Sequence, residues 1–161
     1  MEHASVTELE RIIRELEEAH AGHPWHGPSR ASVLADVTLE EAARQPSTHG
    51  NGIWALVLHM RAWTEEVARR VREGNPGEPA DGDFPPMPVP SLASWRDSLD
   101  ALERAHRDVV ETVRKAGANR LDERIGTGPT CRVMLHGLAQ HDAYHTGQIA
   151  ILKRLYRDGA S

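Results

Sequence analysis

The sequence predicts an all-α protein, a four-helix bundle with a long crossover between its second and third helices. Apolar residues recur at helical spacing through most of the 161 residues, and no stretch sustains a period of two. Four of the periodic segments are long, and a proline- and glycine-rich stretch, residues 74–90, separates the first two from the last two. The length suits one domain over residues 1–161, large enough to bury a core without staples.

The first helix is expected to start at Ser5, with Glu8 completing a capping box, and to run to about His20. Leu9, Ile12, Ile13 and Leu16 form its apolar stripe. "AGHPWHGPSR" breaks it, and two short helices follow, one in "ASVLADV" and one opened by Thr38 with Glu41 as box partner. The second long helix is expected from about Asn51 to Arg72, with Ile53, Trp54, Val57, Leu58, Val67 and Val71 facing apolar neighbours. Arg69, Arg70 and Arg72 close it, where cations suit the negative end of the helix dipole. Residues 74–90 carry six of the ten prolines and three glycines, so they are a loop. Extended, that loop reaches roughly 50–60 Å, more than the roughly 33 Å of the second helix, so it can cross over to the far end or cover a site. Ser91 opens a third helix that carries Leu92, Trp95, Leu99, Leu102, His106, Val109 and Val113 and closes at Ala116 and Gly117. Thr130 caps a fourth that ends near Arg157.

Composition excludes several classes. A net charge of -5 and a pI near 6.0 offer nucleic acid and anionic membrane no general attraction, so neither is expected as a partner. No apolar run reaches the length of a membrane span, and the acidic, periodic start does not resemble a signal peptide, so the expected location is the cytoplasm. One cysteine, Cys131, makes an internal disulfide impossible. What stands out is ten histidines, and four tryptophans against one phenylalanine.

His141 and His145 lie four apart in "QHDAYHTGQIAILKR", one turn apart on one helix face, where two imidazoles can share one ion. Ten histidines make such a pair common by chance, so spacing alone decides little. Leu138, His141, His145, Ile149 and Leu152 share the apolar stripe, which turns both rings toward the core. Buried rings need partners, and two readings stay open: a metal ion serves both at once, or each bonds to a neighbouring helix. A third ligand must come from a facing helix, and His59 in "IWALVLHMRAW" points inward; His106 is the reserve.

"LVLHMRAW" and "MLHGLAQHDAYHTGQIAILK", with "PWHGPS" near the start and "DFP" before "SLASWRDSLDAL", resemble the DinB/YfiT-like superfamily of metalloenzymes, over nearly the whole chain. The resemblance implies an up-down-down-up bundle, a divalent metal on His59, His141 and His145, and a homodimer. It further implies a small-molecule reaction in which the metal activates a thiol, an S-transferase or isomerase chemistry with a low-molecular-weight thiol as cosubstrate. Imidazole ligation suits zinc, nickel, iron and copper; zinc or nickel is expected ahead of iron or manganese. Three neutral imidazoles leave an open position for water or a thiol.

No general base is evident. Asp142 sits about 100° from the ligand stripe and reads as a solvated charge. His136 is off the stripe and is a weaker candidate for the site wall. Gln148, one turn past His145, either touches a bound ligand or bonds a neighbouring helix. Trp25 and His26, in "HPWHGPS", either wall a substrate pocket or pack over the bundle end. Trp54, Trp63 and Trp95 read as core or dimer contacts. Cys131, in the first helical turn, has a dipole that favours a thiolate, yet a structural role is the simpler reading. Three functions compete: a metal-dependent S-transferase or hydrolase, a non-catalytic metal- or small-molecule-binding stress protein, and an interaction bundle whose histidines are satisfied in its core.

Overall fold

A computed structural model describes residues 7–46 and 50–159. It is all-helical: α1 (Glu8–Ala21), α2 (Arg30–Leu34), α3 (Leu39–Ala43), α4 (Ile53–Glu73), α5 (Leu92–Ala116) and α6 (Cys131–Asp158), with a short 3-10 turn at Ala118–Asp122. No strand forms among the described residues.

Local chemistry sets the helix ends. Thr7, not Ser5, caps α1: its hydroxyl accepts from the Glu10 N–H and the Glu10 carboxylate reaches back to the Thr7 N–H, 2.7 Å away. The expected pattern of hydroxyl and glutamate recurs two residues further on, and Ser5 lies outside the described residues. Thr38 and Glu41 form the expected box on α3, and Ser91 caps α5. Gly74 ends α4 at φ 75°, a left-handed conformation that only glycine adopts without strain. Residues 74–90 form no helix, as their prolines require.

The four long helices pack pairwise. Trp54, near the start of α4, donates to the Ser98 hydroxyl at 2.9 Å and packs on Trp95, both near the start of α5. Arg72, near the end of α4, reaches Asp108 and Thr112. On the other side, Glu8 of α1 pairs with Arg132 near the start of α6, while Glu17 pairs with Arg114 near the end of α5.

The core falls into two apolar clusters. One gathers Ile12, Leu16, Val67, Val71, Val109, Val113, Leu135 and Leu138. The other gathers Val33, Trp54, Val57, Trp95, Leu102, Ile149 and Tyr156. His106 on α5 and Asp142 and His145 on α6 are buried between the two clusters, and buried His59 on α4 sits within the second beside Met60. A polar layer thus interrupts the core, and burying it demands that each group find a partner.

Candidate metal centre

His59 projects from α4, and His141 and His145 from successive turns of α6. One nitrogen from each ring lies within 4.8 Å of the others. The Nε2 atoms of His59 and His141 face each other at 2.9 Å. His145 closes the triangle, its ring centroid 4.6 Å from that of His59 and 4.4 Å from that of His141. His59 and His145 are buried, and His141 is partly so.

Neighbours decide which nitrogens carry protons. The main-chain oxygen of Asp83, in the 74–90 loop, lies 2.7 Å from His59 Nδ1 and can only accept, so Nδ1 donates and Nε2 presents a lone pair. Gln148 accepts from His145 Nδ1 at 2.6 Å while its amide donates to the Tyr144 hydroxyl, which leaves His145 Nε2 as the lone-pair nitrogen. His141 Nδ1 is buried with no hydrogen-bond partner. Burial, with His145 and His59 adding to it, pulls the His141 pKa down to about 4. Burial also lowers that of His145, against the hydrogen bond to Gln148.

Two rings whose Nε2 lone pairs are fixed by Asp83 and Gln148, and a third whose Nε2 meets that of His59, make a donor set that a divalent cation can use. The donor set therefore fits a metal ion; without one, His141 Nε2 can donate to His59 Nε2.

The 74–90 loop is latched over this group. Arg61 donates to Asp81 at 2.7 Å, Trp63 Nε1 donates to the Asp83 carboxylate at 2.7 Å, and Phe84 stacks on His59 with ring centroids 4.3 Å apart. Beside His145 opens a groove of about 520 Å³ that includes Gln148.

The other sequence candidates fall elsewhere. Trp25, His26 and His136 line a separate groove between α1 and α6, with Trp25 fully exposed. His136 is engaged there by Glu15 at 2.7 Å and Glu8 at 3.3 Å. Gln148 orients a histidine of the trio, a role that neither sequence reading assigned to it. His106 is not in the trio; it stacks on His20 at 4.0 Å.

One expectation is corrected. Asp142 is no solvated charge: with 3% exposure it accepts from the equally buried Arg30 of α2 at 2.5 Å. α6 packs against α1 and α2 as well as α4, so a residue off the ligand stripe is still covered, and Asp142 faces Arg30 of α2. Cys131 is buried, and burial pushes its thiol pKa up, in keeping with the structural role expected of it. Asp83, Phe84 and Arg30 carry no comparable signal in the sequence, and Trp63, expected as a core or dimer contact, holds the loop instead. For Asp83 the contact to His59 is a main-chain oxygen, which no side-chain pattern reports.

Fold and site together define a helical protein with a three-histidine group that can hold a metal ion. The chain belongs to the DinB superfamily, whose family model matches residues 30–149. The comparisons with curated proteins and with solved structures found no match. No helix among the described residues is long and apolar enough to cross a membrane.

Proposed function

We propose that the chain is a metal-dependent enzyme of one domain, in which His59, His141 and His145 hold a divalent ion, zinc or nickel, for a thiol-dependent S-transfer or a hydrolysis on a small molecule. The observation that carries the proposal is the convergence of one nitrogen from each of three histidines on two helices within 4.8 Å, with the Nε2 lone pairs of His59 and His145 fixed by Asp83 and Gln148. Such an ion supplies Lewis acidity that lowers the pKa of a thiol or water placed in its open position. Asp83 and Gln148 hold two rings in the tautomer that binds metal, and Phe84 shields one side from water. The helix contacts support an up-down-down-up bundle: α4 meets α5 start to start, and α1 meets α6 start to start. The family resemblance supports a homodimer, which sedimentation velocity tests.

The test is metal content by plasma mass spectrometry on tag-free protein, wild type beside His59→Ala and His141→Ala. About one ion per chain in the wild type, lost in both variants, is the expected result. No ion after incubation with zinc or nickel overturns the proposal. A thiol and electrophile panel on loaded protein then reads the reaction.

One observation favours a second reading, a non-catalytic metal- or small-molecule-binding protein. The carboxylates beside the trio are engaged: Asp83 by Trp63, and Asp142 by Arg30. Each already accepts a hydrogen bond, which lowers its proton affinity and weakens the case for either as a general base. Loaded protein that turns over no member of the panel supports that reading.

A further inference from the structure

The groove beside His145 is one flank of the trio, and its wall is unusual in what it lacks. Leu56, Phe84, Ile151 and Leu152 supply apolar surface, and Asn51, Gln148 and Tyr144 supply neutral hydrogen-bonding groups. No aspartate, glutamate, lysine or arginine lines it among the described residues. The groove between α1 and α6 differs: Arg11, Arg14, Glu15 and Glu18 all line that one. At about 520 Å³ the site-side groove matches the size of sites that take small organic molecules.

We infer that the substrate of this site is an uncharged, largely apolar small molecule with a flat or aliphatic body and one or two neutral polar groups. The inference rests on the metal-centre reading for its chemistry, and on the groove's lining for the ligand class. A carboxylate moved into this groove of the metal-free protein loses hydration and finds no charged partner among the described lining residues, whereas an amide or carbonyl finds Asn51, Gln148 and Tyr144. Apolar surface of the ligand displaces water from Leu56, Phe84, Ile151 and Leu152. Those partners select against charge before any reaction occurs, because binding a wrong ligand leaves desolvated groups unpaired.

The probes are 2-naphthamide and 2-naphthoate, near-isosteres that differ in charge. Dissociation constants are measured by NMR titration on chelator-treated protein and on zinc-incubated protein, for wild type and Ile151→Lys. Ile151 is 62% exposed, so a lysine there adds a cation to the wall without disturbing the core. The amide is expected to bind about tenfold tighter than the carboxylate in both wild-type samples. Ile151→Lys is expected to remove most of that preference by strengthening the carboxylate. Equal or tighter carboxylate binding to chelated wild type overturns the inference. Tighter carboxylate binding that appears only after zinc loading overturns it too, since the ion and not the wall then sets the ligand class. A preference that Ile151→Lys leaves untouched places the probes in another groove and overturns it as well. Zinc stoichiometry, read separately, decides the metal proposal, and the chelated samples decide the ligand class even where no zinc binds.

Discussion

The polar layer makes its sharpest prediction at Arg30 and Asp142. Their side chains are 2% and 3% exposed and meet at 2.5 Å. Arg30 also donates to His20 Nδ1 at 2.9 Å, while Asp142 Oδ1 has no partner at all. Burial pushes the Asp142 carboxyl pKa up, and the guanidinium beside it works in the other direction. Arg30→Met therefore strands a desolvated carboxylate, and breaking a buried pair in this way costs about 3–5 kcal/mol. Asp142→Leu strands the guanidinium with only a neutral imidazole and has a cost of the same size. The double variant removes both charges, and because an apolar pair often matches or exceeds a buried ion pair, it is expected within about 1 kcal/mol of wild type. Urea unfolding of all four proteins gives the cycle, with equal m-values as the check on two-state behaviour. A loss below about 1 kcal/mol in Arg30→Met, or a double variant as unstable as the sum of the singles, would refute the reasoning.

His106 is buried and held neutral, its pKa drawn to about 3 chiefly by burial, with His20 and Arg30 adding to it, whereas the unfolded chain takes up that proton near 6.5. Stability present above pH 6.5 is thus lost as pH falls toward 3, at about 1.4 kcal/mol per unit, or about 2 kcal/mol by pH 5. His106→Phe should lack that share; urea unfolding of metal-free protein at pH 7.5 and 5.0 checks it, and equal pH responses would contradict it. His136 has the opposite sign: burial opposes, but Glu15 and Glu8 prevail and raise its pKa above 6.5. Its stabilisation is present below pH 6.5 and fades as pH rises through the raised value, so His136→Gln should weaken the fold at pH 5.5 and hardly at pH 8.5. Gly74→Ala forces a left-handed residue to carry a Cβ 2.9 Å from Arg120 Nη2. It should cost about 1 kcal/mol and lower Tm by about 2–4 °C in a thermal melt.

How much of this was legible depends on whether a signal lies along the chain or across it. Periodicity located all four long helices because each buries an apolar stripe, and proline density located the 74–90 loop. The capping residue of α1 was misplaced by two positions because Ser5 with Glu8 and Thr7 with Glu10 satisfy the same local pattern. His141 and His145 were legible because i, i+4 spacing on an apolar stripe is a local fact, and His59 because it sits in an apolar run, Leu56 to Met60, that is buried throughout. Arg30 and Asp142 were not: they are 112 positions apart, and each looks like an ordinary surface charge in its own neighbourhood.

The same distinction separates the metal-binding trio from what makes it competent. Three inward histidines can as well be protonated or hydrogen-bonded to neighbouring helices; what decides is which nitrogen of each ring is left bare. For His59 that decision belongs to a main-chain oxygen of Asp83, whose loop is held by Trp63 and Arg61 of the same helix α4. For His145 it belongs to Gln148, one turn along α6. For His141 the neighbour is His59 itself: their Nε2 atoms lie 2.9 Å apart, so His141 Nε2 either donates to His59 or gives up its proton and shares an ion with it. The buried, partnerless His141 Nδ1 is not the nitrogen that meets His59, so what favours a cation is the Nε2 atoms of His59 and His145, whose lone pairs Asp83 and Gln148 fix.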